Sequence, residues 1–332
     1  MRTIDMHSHV VPQALWRAAA AGKDWYGARF EPDEGHGSVV FAGKRSRFAS
    51  PKVRFTPEER IKDIDALGVD THVVSIHTPF VGYHLDLAQG RQLAREVNDE
   101  IAEMAKAAPK RFVGMATLPM QDVRAAIEEL DRAVHVLGLK GAELDTVVNG
   151  LNWDEPQFLP LFQAAEQMGA VLFFHPQPQH NLMMPFTSKY NLPNSLGVIT
   201  EDTMLVATLI FGGIFDACPK LKACIAHGGG PALFGMGRLD HGWMVRREAR
   251  VKIQNPPSSY IRHFYYDTVV GSEAALRFTI DAAGIDRVVL GSDWPFVRWD
   301  PSPVAWVKGL KKLTADEKEK ILWKNVEALL SL

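Results

Sequence analysis

Two histidines separated by one residue stand near the start of the chain, in the run Asp5-Met6-His7-Ser8-His9. If this run is a β-strand, residues two apart point to the same side, so both imidazoles face the same way. Neutral imidazole is the side chain that most often binds metals in proteins, and two of them on one strand form a ready pair of ligands. A His-x-His pair by itself also fits an ordinary polar strand end, so the interpretation depends on the rest of the chain.

Three further side chains capable of binding a metal each follow a short apolar run: His175, His227 and Asp293. Three imidazoles with one carboxylate suit zinc or a similar first-row ion, with manganese or cobalt as alternatives. Such an ion brings the pKa of a bound water close to neutrality, and a fourth histidine beside it can transfer protons. The sequence therefore predicts one divalent ion. It leaves open which of His175 and His227 is a ligand, and whether Asp293 binds the ion, orients water, or does both.

Eight short apolar runs alternate with longer amphipathic stretches. This alternation is typical of parallel strands joined by crossover helices, and eight such units in 332 residues fit a closed (β/α)₈ barrel. The carboxyl ends of all the strands would then meet on one face and bring the candidate residues together. An open doubly wound sheet is the alternative, but it usually has a glycine-rich phosphate turn after its first strand, which this sequence lacks. The predicted strands are 3–6, 71–75, 112–115, 141–144, 171–175, 222–227, 265–268 and 288–293, and the predicted helices are 57–67, 92–107, 123–137, 158–168 and 272–283.

Two stretches do not follow this alternation. Residues 16–56 contain several glycines around Val39-Val40-Phe41, and we expect a small β-insertion there, after the first strand and over the barrel mouth. Residues 176–193 are predicted to form a long loop. Both stretches are expected to belong to a single barrel domain that spans residues 1–332.

The composition is that of a soluble enzyme, with 46% hydrophobic and 23% charged residues and a net charge of −2. The chain has no basic surplus for nucleic acid, and its apolar runs are too short to cross a membrane. The first residues lack the apolar stretch of a signal peptide, so we expect a cytoplasmic protein. The two cysteines, Cys218 and Cys224, are expected to be reduced thiols.

Two arginines are candidates for binding a small carboxylate substrate, Arg47 and Arg238. A guanidinium group can hold a carboxylate through two parallel hydrogen bonds. Taken alone, however, each fits a solvated surface charge better than a substrate-binding residue. Asp267, at the end of the predicted seventh strand, either faces the site or caps a loop.

Several motifs together resemble the amidohydrolase-related metal-dependent decarboxylases, the family around 2-amino-3-carboxymuconate 6-semialdehyde decarboxylase. The resemblance runs nearly end to end and is loosest in residues 16–56 and 176–200. The motifs that carry it are Ile4-Asp5-Met6-His7-Ser8-His9, Arg111-Phe112-Val113-Gly114, Thr117-Leu118-Pro119-Met120, Phe174-His175-Pro176, Pro219-Lys220-Leu221, Ala226-His227-Gly228-Gly229-Gly230, Gly237-Arg238 and Gly291-Ser292-Asp293-Trp294-Pro295-Phe296.

The resemblance implies a distorted (β/α)₈ barrel with one zinc ion. Related enzymes with two metals carry a bridging lysine at the end of strand four, and the run Gly141-Ala142-Glu143-Leu144-Asp145 has none there, which agrees with a single ion. Arg47 matches an arginine that binds the substrate carboxylate, and Arg238 matches one that reaches into the neighbouring subunit's site, which implies a homodimer. The family's metal ligands match His7, His9, His175 and Asp293, and its catalytic histidine matches His227. Asp293 is also a candidate catalytic residue, because it could orient a metal-bound water.

The activity implied by the resemblance is non-oxidative decarboxylation of a small unsaturated or aromatic carboxylic acid, of the carboxymuconate-semialdehyde or hydroxybenzoate type. The alternative is a metal-dependent hydrolase or hydratase that acts on an aromatic ring-fission product or a C–N bond, because the same ligand set serves both chemistries. The sequence departs from the muconate-semialdehyde enzymes at Asn191 and Asn194, in the region where those have tryptophan over the site, and at Val269-Val270-Gly271. The substrate therefore stays open within this class.

Overall fold

The fold was obtained as a computed structural model, which describes residues 2–178, 182–186, 188–297 and 299–332. Eight parallel strands alternate with helices along the chain, as the sequence predicts. The strands are β1 (Ile4–Val10), β2 (Arg29–Glu31), β3 (Ser38–Phe41), β4 (Lys44–Arg47), β5 (Thr71–Ile76), β6 (Phe112–Gly114), β7 (Gly141–Leu144), β8 (Val171–Phe174), β9 (Lys222–Ile225), β10 (Phe264–Asp267) and β11 (Val288–Val289).

The helices lie between these strands. Some were not predicted from the sequence, notably the two long ones on either side of His227 and the three at the C-terminus. The helices are α1 (Gln13–Ala20), α2 (Pro57–Leu67), α3 (Leu87–Ala107), α4 (Val123–Asp131), α5 (Leu159–Met168), α6 (Val198–Phe211), α7 (Ile214–Ala217), α8 (Ala232–Val245), α9 (Glu273–Ala283), α10 (Pro303–Gly309), α11 (Ala315–Glu319) and α12 (Asn325–Leu330).

The eight parallel strands close into a barrel. Continuous hydrogen bonding joins β1, β5 and β6 in one sheet and β7 to β11 in another. A parallel bridge between Ala116 and Ala142 connects β6 to β7. On the other side, the amide of Met6 donates to the carbonyl of Leu290 at 2.8 Å, which connects β1 to the segment after β11. The closed (β/α)₈ barrel is therefore confirmed, and the open sheet is excluded.

The predicted insertion contains an antiparallel sheet. Strands β2, β3 and β4 pair in that order between Arg29 and Arg47, inside the predicted range of 16–56. Helix α1 precedes this sheet. The predicted loop 176–193 contains residues 179–181 and 187, which lie outside the described residues. Its described part contains no strand, and helix occurs only at its end, at Leu192 and Pro193.

Local sequence signals explain where elements begin and end. Helix α2 starts at a capping box, in which Thr56 accepts from the amide of Glu59 while the Glu59 carboxylate accepts from the amide of Thr56. It ends at Gly68, which has φ of 74° and adopts the left-handed conformation open to glycine. Strand β5 reads THVVSI, and its β-branched residues suit a buried strand.

The interior of the barrel is filled below the mouth by apolar side chains. Ile4 and Met6 of β1 pack with Val171 and Phe173 of β8. The Phe173 ring lies edge-on to the His7 imidazole, with ring centroids 5.0 Å apart. A dry apolar layer therefore forms the floor of the histidine cluster, so its polar groups must find partners within the protein.

Close packing of β7 on β8 gives a testable consequence at Gly141. A Cβ atom on this residue would lie 1.8 Å from the carbonyl oxygen of Val171. We expect Gly141→Ala to lower the free energy of unfolding by about 3 kcal/mol, because the two strands must separate. Urea unfolding measures this, with Gly309→Ala as the matched control, since Gly309 is exposed at the end of α10 with no atom within 4 Å of such a Cβ. Equal effects of the two substitutions would contradict the packing argument.

Candidate metal centre

Four side chains from three parts of the chain converge at the carboxyl end of the barrel. His7 and His9 project from β1, His175 directly follows β8, and Asp293 lies in the loop after β11. One ligand atom from each lies within 4.8 Å of all the others. The His9 Nε2 is 3.0 Å from the His7 Nε2 and 3.2 Å from Asp293 Oδ1. This grouping of three imidazoles and a carboxylate is the ligand set that the sequence predicts.

A bulge in β1 allows both histidines to face inward. The register of β1 against β5 shifts between Asp5 and Ser8, so β1 has one extra residue there. Met6 packs in the apolar interior, and without the bulge its neighbour His7 would point out of the barrel. The bulge therefore places His7 and His9 above the apolar floor.

The proton positions on the three imidazoles fit a metal ion. Each Nδ1 atom faces an acceptor: Asp267 Oδ2 at 2.5 Å from His7, the Ile76 carbonyl at 3.2 Å from His9, and the Pro176 carbonyl at 2.9 Å from His175. With Nδ1 donating, each Nε2 keeps its lone pair toward the shared centre. The Nε2 of His175 is buried and has no hydrogen-bond partner among the described residues. A single divalent ion would satisfy it.

Electrostatics favours the ligand-ready forms of His175 and Asp293. At His7 and His9 burial lowers the pKa, but the neighbouring carboxylates outweigh burial and raise it. Burial, helped by the neighbouring His9 and His7, holds the pKa of His175 well below its usual value, so its imidazole is neutral. Burial alone would raise the pKa of Asp293. The adjacent His7 and His9 outweigh burial and hold that pKa well below its usual range. Asp293 is therefore a carboxylate, as a metal ligand must be.

His227 lies beside this group but outside it. Its ring centroid is 4.9 Å from that of His175, and its Nδ1 is 2.9 Å from Asp202 Oδ2. Burial lowers the pKa of His227, but the charge and hydrogen bond of Asp202 outweigh burial and raise it. The structure thus places His175 in the group of four and His227 next to it, a choice that the residue spacing left open. The role of His227 in proton transfer stays a prediction.

The backbone around His227 is shaped by the glycines that follow it. His227 itself has φ of 52°, an uncommon value for a residue with a side chain. A Cβ on Gly230 would lie 2.1 Å from the carbonyl oxygen of Ile199, so only glycine fits against α6. The Gly228 amide donates to Asp267 Oδ1 at 2.9 Å. The tight turn therefore fixes His227 to the same carboxylate that supports His7.

Sequence reasoning missed two supporting residues, Asp202 and Arg60, and left a third, Asp267, undecided. Asp202 stands in the apolar helix α6, where a buried acidic residue was an available signal. Asp267 was left undecided between site and loop cap, and in the structure it bonds both His7 and the turn after β9. Arg60 is buried and donates to the carbonyl of His9 at 2.7 Å, with its guanidinium 4.1 Å from the Trp294 ring. Each of the three contacts a site residue without belonging to the ligand group: Asp202 contacts His227, Asp267 contacts His7 and Arg60 contacts His9.

The two predicted substrate arginines are not brought to the ligand group of this single chain. Arg47 is the last residue of β4. Its side chain is 80% exposed, and its Nε lies 3.9 Å from Asp33 Oδ2. Strand alternation explains this, because the neighbouring Ser46 is buried while Arg47 points to the opposite side. Arg238 is exposed on α8. Their roles in carboxylate binding stay predictions.

A cavity of about 520 Å³ opens beside the candidate centre. His227 and Asp293 form part of its wall, and no lysine or arginine lines it within the described ranges. It is large enough for a one-ring ligand. Most of the other lining side chains are apolar, including Val198, Ile199, Leu233, Phe234, Val269, Val270, Phe278 and Val297, and polar atoms come from Asn194, Ser195 and Thr279.

The fold and the site together define a metal-binding (β/α)₈-barrel enzyme with one ligand group and an adjacent histidine. The amidohydrolase family model matches residues 4–332. The chain belongs to this family, and the predicted resemblance is confirmed. Among the described residues, no helix is both long and apolar enough to cross a bilayer.

Two known decarboxylases are similar to this chain over nearly its whole length. The chain is 34% identical over 336 residues to the 2-amino-3-carboxymuconate-6-semialdehyde decarboxylase of Dictyostelium discoideum, covering 99% of this chain and 91% of the relative. The solved 5-carboxyvanillate decarboxylase of Sphingomonas paucimobilis is similar with a TM-score of 0.84 and 28% identity, covering 100% and 99% of the two chains. These relatives agree with the predicted decarboxylase class.

A third comparison supports the fold alone. The structure of dihydroxybenzoic acid decarboxylase from Polaromonas sp., solved with manganese and the inhibitor 2-nitroresorcinol, is similar with a TM-score of 0.83 and 24% identity. It covers 100% of this chain and 97% of that chain.

The geometry predicts different metal contents for two neighbouring histidine variants. His175→Ala should lose most of its bound metal, because it removes a ligand, whereas His227→Ala should keep it. Elemental analysis of the purified proteins measures this, with His135→Ala as a control at an exposed surface histidine. Loss of metal from His227→Ala would make His227 a ligand and contradict the assignment.

Proposed function

We propose that this chain is a metal-dependent carboxy-lyase that removes CO₂, without oxidation, from a small aromatic or unsaturated carboxylic acid. The observation that carries the proposal is His227, an unligated histidine held by Asp202 at the wall of a cavity that also contains the metal ligand Asp293. Zinc is the proposed ion, with manganese or cobalt as alternatives. We place the enzyme in the cytoplasm.

The reaction breaks one carbon–carbon bond and needs a proton at the carbon that loses CO₂. A bound metal ion would act as a Lewis acid that orients the substrate and stabilises developing negative charge. The apolar walls of the cavity would hold the ring or unsaturated chain and exclude water. His227 then supplies or relays the proton to that carbon, and Asp202 keeps its imidazole in the required orientation.

The proposed homodimer rests on the surface of α8. Phe234 lines the cavity, yet its side chain is 82% exposed. Arg238 stands one helical turn further along the same helix. Met244 and Val245 add exposed apolar area near its end. A second copy packed on this surface would cover Phe234, and Arg238 would reach the partner's cavity to bind the substrate carboxylate. Arg47 is the second proposed carboxylate-binding residue.

The direct test is CO₂ release from substrates labelled in the carboxyl group. The panel contains 2,6-dihydroxybenzoate, 5-carboxyvanillate and 2-amino-3-carboxymuconate semialdehyde, offered to protein loaded with zinc, manganese or cobalt. We expect labelled CO₂ and one organic product from at least one acid. Two organic fragments or a hydrated product, without CO₂, would instead make the chain a hydrolase or hydratase.

Replacement of the proposed proton-transfer residue should reduce turnover strongly. His227→Ala is expected to lower kcat by about 10²–10⁴, the usual contribution of general acid–base catalysis. Its metal content should stay at the wild-type level, and His135→Ala should retain full turnover. A kcat for His227→Ala within a few-fold of wild type would remove His227 from the mechanism.

Asp202→Asn tests the orientation of His227 separately. The amide can still accept a hydrogen bond from Nδ1, but it can also present its NH₂ group and lacks the charge that favours the protonated imidazole. We expect kcat to fall about 10- to 100-fold with little change in KM, since losing a partner behind a functional histidine typically has this effect. A change confined to KM would indicate that Asp202 shapes substrate binding instead.

A further inference from the structure

Glu143 is a buried glutamate inside the barrel that the proposed reaction does not use. It pairs with Phe173 in the register of β7 against β8, so it points into the same interior. Its exposure is 0%, and neither carboxyl oxygen has a hydrogen-bond partner among the described residues. A buried carboxyl group without such partners destabilises a fold, so its presence calls for a compensating interaction.

The nearest basic group is a metal ligand. Glu143 Oε2 lies 3.4 Å from His9 Nδ1, which is within ion-pair distance but too long for a well-formed hydrogen bond. The same Nδ1 is 3.2 Å from the carbonyl of Ile76. Because the Nε2 of His9 belongs to the ligand group, Nδ1 carries the proton and directs it toward both oxygens. Glu143 therefore faces the Nδ1 of His9, as Asp267 faces the Nδ1 of His7.

We infer that Glu143 is a positioning residue that strengthens metal binding through His9. Its negative charge makes the His9 imidazole a better donor to a cation and offsets the positive charge that one carboxylate ligand leaves on a divalent ion. The inference deepens the proposed metal site and rests on it. It implies that Glu143 favours the metal-bound protein while it destabilises the metal-free barrel.

Glu143 is expected to strengthen metal binding and to weaken the metal-free fold. A residue that only stabilised the fold would not have these opposite effects. Removing Glu143 leaves no orphaned donor, because His9 Nδ1 keeps the Ile76 carbonyl. Glu143→Leu replaces a buried carboxyl that lacks a hydrogen bond within the described part of the chain with an apolar group of similar size, so the metal-free protein should unfold at the same temperature or higher. The same substitution should weaken metal binding. A residue that only supported the fold would lower the unfolding temperature when replaced.

Glu129→Gln provides a matched control. Glu129 is also a buried glutamate, but it lies away from the metal centre. The Arg132 guanidinium and the side-chain Nδ2 of Asn98 each donate to its Oε1 at 2.7 Å. Its charge is thus used for the fold. Glu129→Gln should lower the unfolding temperature and leave metal affinity at the wild-type value.

The experiment measures metal affinity and stability on the same full-length proteins. Wild type, Glu143→Gln, Glu143→Leu and Glu129→Gln are stripped with a chelator. They are then titrated with zinc and with manganese against a chromophoric competitor and melted without metal. We expect both Glu143 variants to bind each ion about 10- to 100-fold more weakly. Wild-type affinity in both Glu143 variants, or a lower melting temperature of metal-free Glu143→Leu, overturns the inference.

The CO₂ assay on the same preparations separates this inference from the proposed function. Wild-type protein that binds one metal but releases no CO₂ overturns the decarboxylase, while weaker binding by the Glu143 variants still supports the inference. Wild-type protein that binds neither ion overturns both.

Discussion

The closure of the barrel between its first and last strands is the constraint on which the site depends. The amide of Asp293 donates to the carbonyl of His7 at 2.8 Å, and the amide of Ser292 donates to Asp5 Oδ1 at 3.0 Å. These contacts join residues from opposite ends of the chain. They place the Asp293 carboxylate against His7 and His9, so the ligand group exists only when the barrel is closed. Metal binding should therefore stabilise the closed fold as a whole.

Two residues of the site, His227 and Asp293, have an uncommon backbone conformation. His227 and Asp293 have φ of 52° and 56°, in the left-handed region that side chains disfavour. Each lies in the segment that follows a parallel strand, where the backbone turns while the side chain stays directed at the centre. The surrounding hydrogen bonds hold these conformations in place, and such strain is commonly found at functional sites.

The site residues that follow strands were easier to predict from the sequence than the residues that support them. Strand periodicity and position identified His7, His9, His175, His227 and Asp293, because each follows an apolar run whose carboxyl end must reach the mouth. Periodicity could not decide which of His175 and His227 joins the ligand group, since both follow short apolar strands. It also missed Arg60 and Asp202. Their partners are distant in the chain, so no local pattern reports their burial.

Several buried charged groups outside the ligand group surround the site. Asp5, Asp202 and Glu143 are buried carboxyl groups, and burial raises the pKa of Asp5 and of Asp202 to about 6 in each case. Grouping buried carboxyl groups around the site destabilises the barrel unless positive charge is nearby. Arg60 supplies part of that charge from α2, and a divalent ion would supply the rest. The protein thus groups negative charges around the position where a cation would bind. In the metal-free protein these charges would destabilise the fold.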